Sequence, residues 1–113
     1  MKLGKLTKPL VLAAALSATS CFAQQFNALL YTKTDGWHHD SINAGVTAIQ
    51  ELAKLHHFNV TWSENTGMFF NDASLAKFDV VIFLLTTGDV LNDDQQAAFE
   101  RYIQKGGGYV GIH

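Results

Sequence analysis

The chain has 113 residues, with 8 lysines and arginines against 10 aspartates and glutamates, and a formal net charge of −2. This length is enough for one small domain and too short for several. An acidic balance without a cluster of basic side chains argues against nucleic acid or an anionic membrane as a partner.

The first 23 residues have the composition of a secretory signal peptide. Three lysines precede a short apolar run over residues 10–16, and a small-x-small sequence ends at Ala23. The apolar run is too short to span a bilayer. We therefore predict a signal peptide over residues 1–23, cleavage after Ala23, and a secreted or periplasmic protein with no membrane attachment after cleavage. A lipoprotein processed at Cys21 is the less favoured alternative, because Ala18-Thr19-Ser20 is a poor lipobox.

Removal of this leader changes the charge and the available chemistry. Residues 24–113 keep five basic residues against ten acidic ones, a net charge of −5 with histidine neutral. Cys21, the one cysteine of the sequence, is lost with the leader. The mature chain then has neither a disulfide framework nor a thiol nucleophile.

The first half of the mature chain predicts a strand, a helix and a second strand. Residues 26–32 form a short apolar strand, followed by a polar loop. Asp40-Ser41 stands where a helix N-cap is expected, with a side-chain oxygen accepting from the free amides of the first turn. Apolar residues at helical spacing continue the helix to about His57. Residues 58–63 alternate between apolar and polar and predict a more peripheral strand.

The second half repeats the alternation. Residues 64–77 predict one or two short helical turns, and an unbroken apolar run predicts a strand over residues 80–87 that is buried on both faces. A helix follows, with Asn92 and Gln95 in a capping box and Gly106 as its left-handed stop. A last strand over residues 107–113 has the character of a strand that needs covering on both faces, and without a neighbour we expect it to leave an edge that can pair with another chain.

Strands alternating with helices predict a parallel α/β sheet in the order 2-1-3-4, with helices on both faces. No helix follows the fourth strand. We therefore expect the fold to be truncated after that strand, with residues 24–113 forming the N-terminal part of a longer domain.

The loops after the first and third strands of such a sheet flank the point where strand order reverses. Residues 33–40 and 86–89 then face one crevice, and His113 leaves the sheet beside them. This polar edge can bind a polyol, and Trp37 offers a flat apolar face to a sugar ring. The polar candidates for contacting a carbohydrate are Asp35, His38, His39, Asp40, Thr86, Thr87, Asp89 and His113. Simpler explanations exist for several of these residues: Asp40 and Asp89 can serve as caps, and one of the two adjacent histidines is expected to be structural.

Four blocks of the sequence, in order, resemble the ThuA-like (trehalose-utilisation) family. They are TDGWHHDSI over residues 34–42, FLLTTGDVL over 83–91, QQAAFERYI over 95–103 and GGGYVGIH over 106–113. The resemblance implies a flavodoxin-like, three-layer α/β/α domain of the class I glutamine amidotransferase-like type. It also implies a link to carbohydrate utilisation and favours His39 as the functional member of the adjacent pair.

The last block resembles the strand before the nucleophile of the amidotransferase-like enzymes, with His113 where they carry cysteine. Imidazole cannot hold a thioester, so cysteine-dependent glutamine hydrolysis is excluded. The leading interpretation is an enzyme, or former enzyme, acting on a carbohydrate or its oxidised derivative, with His39 and His113 as catalytic residues that transfer protons or hold a metal.

Two other classes of function stay open. A non-catalytic carbohydrate-binding module would use the same polar edge. A flavodoxin-like carrier is less favoured, and flavin with it, because a phosphate cradle needs small residues where this chain has Trp37-His38-His39. A divalent metal is left open, since His39, His113 and one aspartate supply too few ligands to assign a site. Self-association into a homo-oligomer is also left open.

Overall fold

The computed structural model describes Met1, Gly4 and residues 23–113. The predicted signal peptide, with the alternative processing site at Cys21, thus lies outside the described residues except at Met1, Gly4 and Ala23. None of the helices in the described part combines the length and apolarity needed to cross a membrane.

Residues 23–113 form one parallel sheet with helices on both faces. The strands are β1 (Asn27–Tyr31), β2 (Asn59–Ser63), β3 (Val80–Leu84) and β4 (Gly108–Ile112). The helices are α1 (Ile42–His56), α2 (Thr66–Phe69), α3 (Asp72–Leu75) and α4 (Asp93–Gln104). The strand order is β2-β1-β3-β4 with every pair parallel, which confirms the predicted order.

Successive side chains of each strand point to opposite faces of the sheet, so the core is divided into two clusters. On one face Leu30 and Ile82 pack with Ile42 and Val46 of α1. On the other face the cluster brings together residues of β1, β3, α3 and α4: Leu29, Tyr31, Val81, Leu75, Ala98 and Tyr102. Each fully buried aliphatic side chain stabilises the fold by roughly 1.5–3 kcal/mol. These two clusters confirm the predicted three-layer α/β/α arrangement.

The start of α1 is fixed by close contact with β3. A Cβ atom added at Gly45 would lie 2.9 Å from Cδ2 of Leu84, a buried side chain. The absence of a side chain at Gly45 therefore lets the helix approach the strand. Because α1 follows directly from the loop after β1, this packing also determines where that loop ends.

One strand boundary was predicted wrongly. β3 ends at Leu84 rather than at residue 87, because Leu85 has a left-handed backbone with φ of 53° and turns the chain out of the sheet. Its amide still donates to the carbonyl of Ile112 at 2.7 Å. β4 is largely exposed and lies at the edge of the sheet with β3 as its neighbour, as expected for a fourth strand without a further partner.

The helix ends show which capping predictions hold. Asn92 and Gln95 form the complete capping box, with both hydrogen bonds at 2.9 Å, and Gly106 follows α4 with φ of 96°. Ser41 is the N-cap residue of α1, but its side chain makes no capping hydrogen bond, so that part of the prediction was wrong. Its backbone is helical rather than extended, which places the side chain away from the first-turn amides. The short helical turns α2 and α3 confirm the prediction for residues 64–77.

Candidate functional site at the carboxyl edge of the sheet

The loop after β1 and the loop after β3 are joined by backbone hydrogen bonds beyond the end of the sheet. We call them the β1 loop (residues 32–41) and the β3 loop (residues 85–92). The carbonyl of Thr87 accepts from the amides of Asp35 at 2.7 Å and Gly36 at 3.2 Å, and Thr34 pairs with Thr87 as an isolated parallel bridge. The two loops therefore form one unit at the carboxyl edge, as the strand order predicted.

The side chain of Thr87 and the backbone of Gly88 also take part in this contact between the two loops, which we call the junction. The Thr87 hydroxyl donates to the carbonyl of Trp37 at 2.6 Å. Gly88 has φ of 77°, and a Cβ atom there would lie 2.9 Å from the Asp35 carbonyl carbon and the Gly36 nitrogen. With its backbone held in this way, Trp37 keeps 75% of its surface exposed. The indole therefore presents an apolar face at the edge.

His39 and His113 meet at this edge. Their ring centroids lie 5.2 Å apart with the two planes at 90°. His39 stands near the end of the β1 loop, whereas His113 directly follows β4, so only the folded sheet brings them together. The adjacent His38 has a different partner, because its Nδ1 lies 3.2 Å from the hydroxyl of Thr34 within the same loop. Of the two adjacent histidines, His39 is the one that faces another imidazole.

The other predicted contact residues lie on the same two loops without making a closed site. Within residues 23–113, the carboxylates of Asp35, Asp40 and Asp89 form no hydrogen bond or ion pair, and all three residues are exposed. Thr86 is half-buried between the end of β3 and the Thr87 junction. The two loops thus have three carboxylates without a partner among the described residues, at the same edge of the sheet as two imidazoles and an indole.

Glu64, which the sequence patterns did not single out, belongs to the same edge. It directly follows β2, and its Oε1 accepts from the hydroxyl of Thr32 at 3.1 Å. That hydroxyl in turn accepts from Nε1 of Trp62 at 2.8 Å. The signal that could have found Glu64 is its position, because polar residues at the ends of parallel strands collect at one edge.

Tyr31, the last residue of β1, is buried and connects the sheet to neighbouring elements close to the carboxyl edge. The hydroxyl of Tyr31 lies 2.6 Å from that of Thr66 and donates to the carbonyl of Val90 at 3.3 Å, which ties β1 to α2 and to the β3 loop. Burial raises the pKa of Tyr31, the hydrogen bond with Thr66 lowers it, and the negative charge of Glu64 raises it further. The net direction is upward, so the phenol stays protonated and acts as a structural donor.

No group of three or more histidine, cysteine, aspartate or glutamate residues in the described part of the chain is placed to hold a metal ion. His39 and His113 supply two imidazole nitrogens from separate elements, and a protein-held zinc ion uses at least three ligands. The pair can instead form hydrogen bonds and exchange protons with a ligand, because each imidazole ring has two nitrogens that can donate or accept.

A cavity of about 300 Å³ lies at the opposite, amino edge of the sheet, between α3, α4 and the starts of β3 and β4. None of the predicted site residues lines it. Its main polar groups are already paired: Asp72 binds Arg101 at 2.8 Å, and the Tyr102 hydroxyl donates to the carbonyl of Gly108. This cavity therefore does not compete with the carboxyl edge as the candidate site.

Comparison with known proteins connects this chain to one family. The family model ThuA, described as trehalose utilisation, matches residues 27–113. A crystal structure of a ThuA-like protein from Bacteroides uniformis resembles this fold with a TM-score of 0.67 and 24% sequence identity, covering 86% of this chain. The chain spans 39% of the length of that protein. None of the curated proteins matches this sequence.

Proposed function

The chain belongs to the ThuA family, described as trehalose utilisation, and on that premise we propose that it binds a carbohydrate or an oxidised carbohydrate at the carboxyl edge. The observation that carries the proposal is the convergence of His39 and His113, whose rings lie 5.2 Å apart at the end of the sheet. Ligands of open α/β sheets bind at this end, where the strand order reverses.

The edge has the chemical groups that sugar recognition needs. A sugar presents many hydroxyls, each able to donate one hydrogen bond, and ionised carboxylates accept such bonds. Asp35, Asp40 and Asp89 supply carboxylates that are not engaged with other residues of the described chain. The exposed indole of Trp37 supplies a flat apolar face on which a sugar ring can stack.

The histidine pair gives the edge a means of moving protons. Two imidazoles can divide the tasks of general base and general acid, with one ring taking up a proton and the other, in its protonated form, giving one up. We propose that His39 and His113 transfer protons to and from the bound carbohydrate. Thioester chemistry is excluded at this position because His113 has no sulfur.

The proposal is tested on the full-length protein with His39→Ala and His113→Ala, and with His56→Ala as the matched control. His56 lies in the last turn of α1, away from the edge. Binding and turnover of trehalose, glucose and keto-sugars are measured by calorimetry and product analysis, with and without divalent metals. We expect both edge variants to lose binding or turnover with an unchanged melting temperature, and His56→Ala to keep both.

The outcomes separate the two carbohydrate hypotheses. Binding by the wild type without any turnover identifies a carbohydrate-binding module in place of an enzyme. Equal behaviour of His39→Ala and His56→Ala shows that the histidines are structural and that the edge is not the site. The absorbance spectrum of the purified protein tests the flavin carrier directly, because a bound flavin is coloured.

We also propose that the protein is exported and cleaved after Ala23. The basic, apolar and small-residue order of residues 1–23 supports this proposal. Intact-mass analysis of the secreted protein should give a chain that starts at Gln24. A mature protein that keeps Met1, or one that carries lipid on Cys21, contradicts it.

A further inference from the structure

We propose that Glu64 is a further ligand-contacting carboxylate of the carboxyl edge and that Trp62 lies beside it as a surface for a sugar ring. This inference rests on the proposed carbohydrate function. It assigns to the end of β2 a second contact region, separate from the pair formed by His39 and His113.

The hydrogen bonds at the end of β2 have a fixed direction. An indole nitrogen can only donate, so Trp62 gives its proton to the oxygen of Thr32 at 2.8 Å. Thr32 is fully buried, and the one proton of its hydroxyl is then directed to Oε1 of Glu64 at 3.1 Å. The buried Thr32 hydroxyl thereby orients one oxygen of the Glu64 carboxylate, while Glu64 as a residue is exposed. Its second oxygen is left for a ligand.

A purely structural role does not require a charge at this position. The buried hydroxyl of Thr32 needs an acceptor, and an uncharged amide oxygen would serve equally well. Glu64 makes no ion pair within the described residues. A carboxylate that is oriented, exposed and without a cationic partner is suited to accept hydrogen bonds from ligand hydroxyls.

Trp62 supplies the apolar part of the same region. Its polar nitrogen is bound inside the protein, and 44% of the residue surface is exposed. β2 and β4 are separated by β1 and β3, so their ends lie roughly 14 Å apart at the usual spacing of about 4.8 Å between strands. A ligand that contacts both Glu64 and His113 therefore has to be longer than a single sugar ring.

The test uses Glu64→Gln in the full-length protein, with trehalose, a two-ring sugar, as the probe. Glutamine keeps an oxygen that accepts from Thr32 but loses the charge. Glu51→Gln is the matched control, because it removes the same charge from an exposed position in α1. We expect Glu64→Gln to weaken trehalose binding about tenfold, as for the loss of one hydrogen bond to a charged group, with an unchanged melting temperature. Glu51→Gln should bind as the wild type does.

Three results overturn the inference while leaving the proposed function intact. The first is wild-type affinity in Glu64→Gln when His39→Ala has lost binding. The second is equal weakening in Glu64→Gln and Glu51→Gln, which indicates a general effect of net charge. The third is a lowered melting temperature in Glu64→Gln, which indicates a structural role. If the wild-type protein binds no sugar at all, the proposed function fails and this inference fails with it.

Discussion

Substitution of Gly88 by alanine should disrupt the junction that joins the two loops of the carboxyl edge. Gly88 has a positive φ of 77°, and an added Cβ atom would lie 2.9 Å from two backbone atoms of the β1 loop, the Asp35 carbonyl carbon and the Gly36 nitrogen. Both atoms are backbone and cannot move away without moving the loop. The substitution therefore combines an unfavourable conformation with a steric conflict.

The expected loss of stability can be worked out from these two contributions. A left-handed backbone costs a residue with a Cβ atom about 1–2 kcal/mol. Separation of the loops weakens the two hydrogen bonds that the Thr87 carbonyl accepts, and each such bond contributes about 0.5–1.5 kcal/mol. The sum is about 2–5 kcal/mol for Gly88→Ala.

Gly106→Ala is the matched control for this experiment. Gly106 also has a positive φ, of 96°, but nothing lies within 4 Å of its added Cβ atom. The Gly106→Ala variant should therefore lose only the conformational contribution, about 1–2 kcal/mol of unfolding free energy. Urea unfolding followed by circular dichroism measures both variants, and the difference between them isolates the close approach of the loops. Equal destabilisation of the two variants, or a Gly88→Ala protein as stable as the wild type, would refute this explanation of the junction.

Two further predictions concern the stability of the fold. Asn92→Ala removes the side-chain half of the α4 capping box and should destabilise the protein by about 1 kcal/mol in thermal unfolding. Ser41→Ala should have almost no effect, because the Ser41 side chain makes no capping bond; similar losses in both would contradict the assignment of caps. Tyr31 has a pKa raised above its ordinary value of 10.0 in the folded state, so the folded protein retains a proton that the unfolded chain releases. The contribution of the protonated Tyr31 phenol to the free energy of unfolding is complete below pH 10. It is lost as the pH rises through the pKa of the folded state. Urea midpoints between pH 8 and 11 should therefore fall less steeply for Tyr31→Phe than for the wild type, and parallel curves would show that this phenol has no part in the pH dependence.

The order of the strands could be predicted because it follows from short-range patterns. Apolar runs and helical spacing identify the elements, and a strand–helix–strand alternation restricts the sheet to parallel connections of one handedness. The same reasoning placed the loops after β1 and β3 side by side, and the structure joins them through Thr87. The prediction that His39 and His113 share one edge needed no knowledge of side-chain contacts, since both follow the ends of parallel strands.

Other features escaped prediction because their causes lie in the tertiary structure. The apolar run of β3 continues past Leu84, so its pattern contains no sign that Leu85 adopts a left-handed backbone. Ser41 has the residue type of a cap, but the path of the β1 loop gives it a helical backbone that turns its hydroxyl away.

The sequence by itself determined the α/β class, the strand order, the capping box at Asn92 and the edge of the sheet at which His39 and His113 meet. Each of these depends on residue type and spacing along a short segment. The tertiary structure alone decided that the hydroxyl of Thr87 binds the carbonyl of Trp37 and that Trp62 and Thr32 orient Glu64. Those bonds join groups from different strands and loops. The register of the sheet and the path of the backbone determine which donors and acceptors pair, because a hydrogen bond forms only where the two groups lie within about 3 Å.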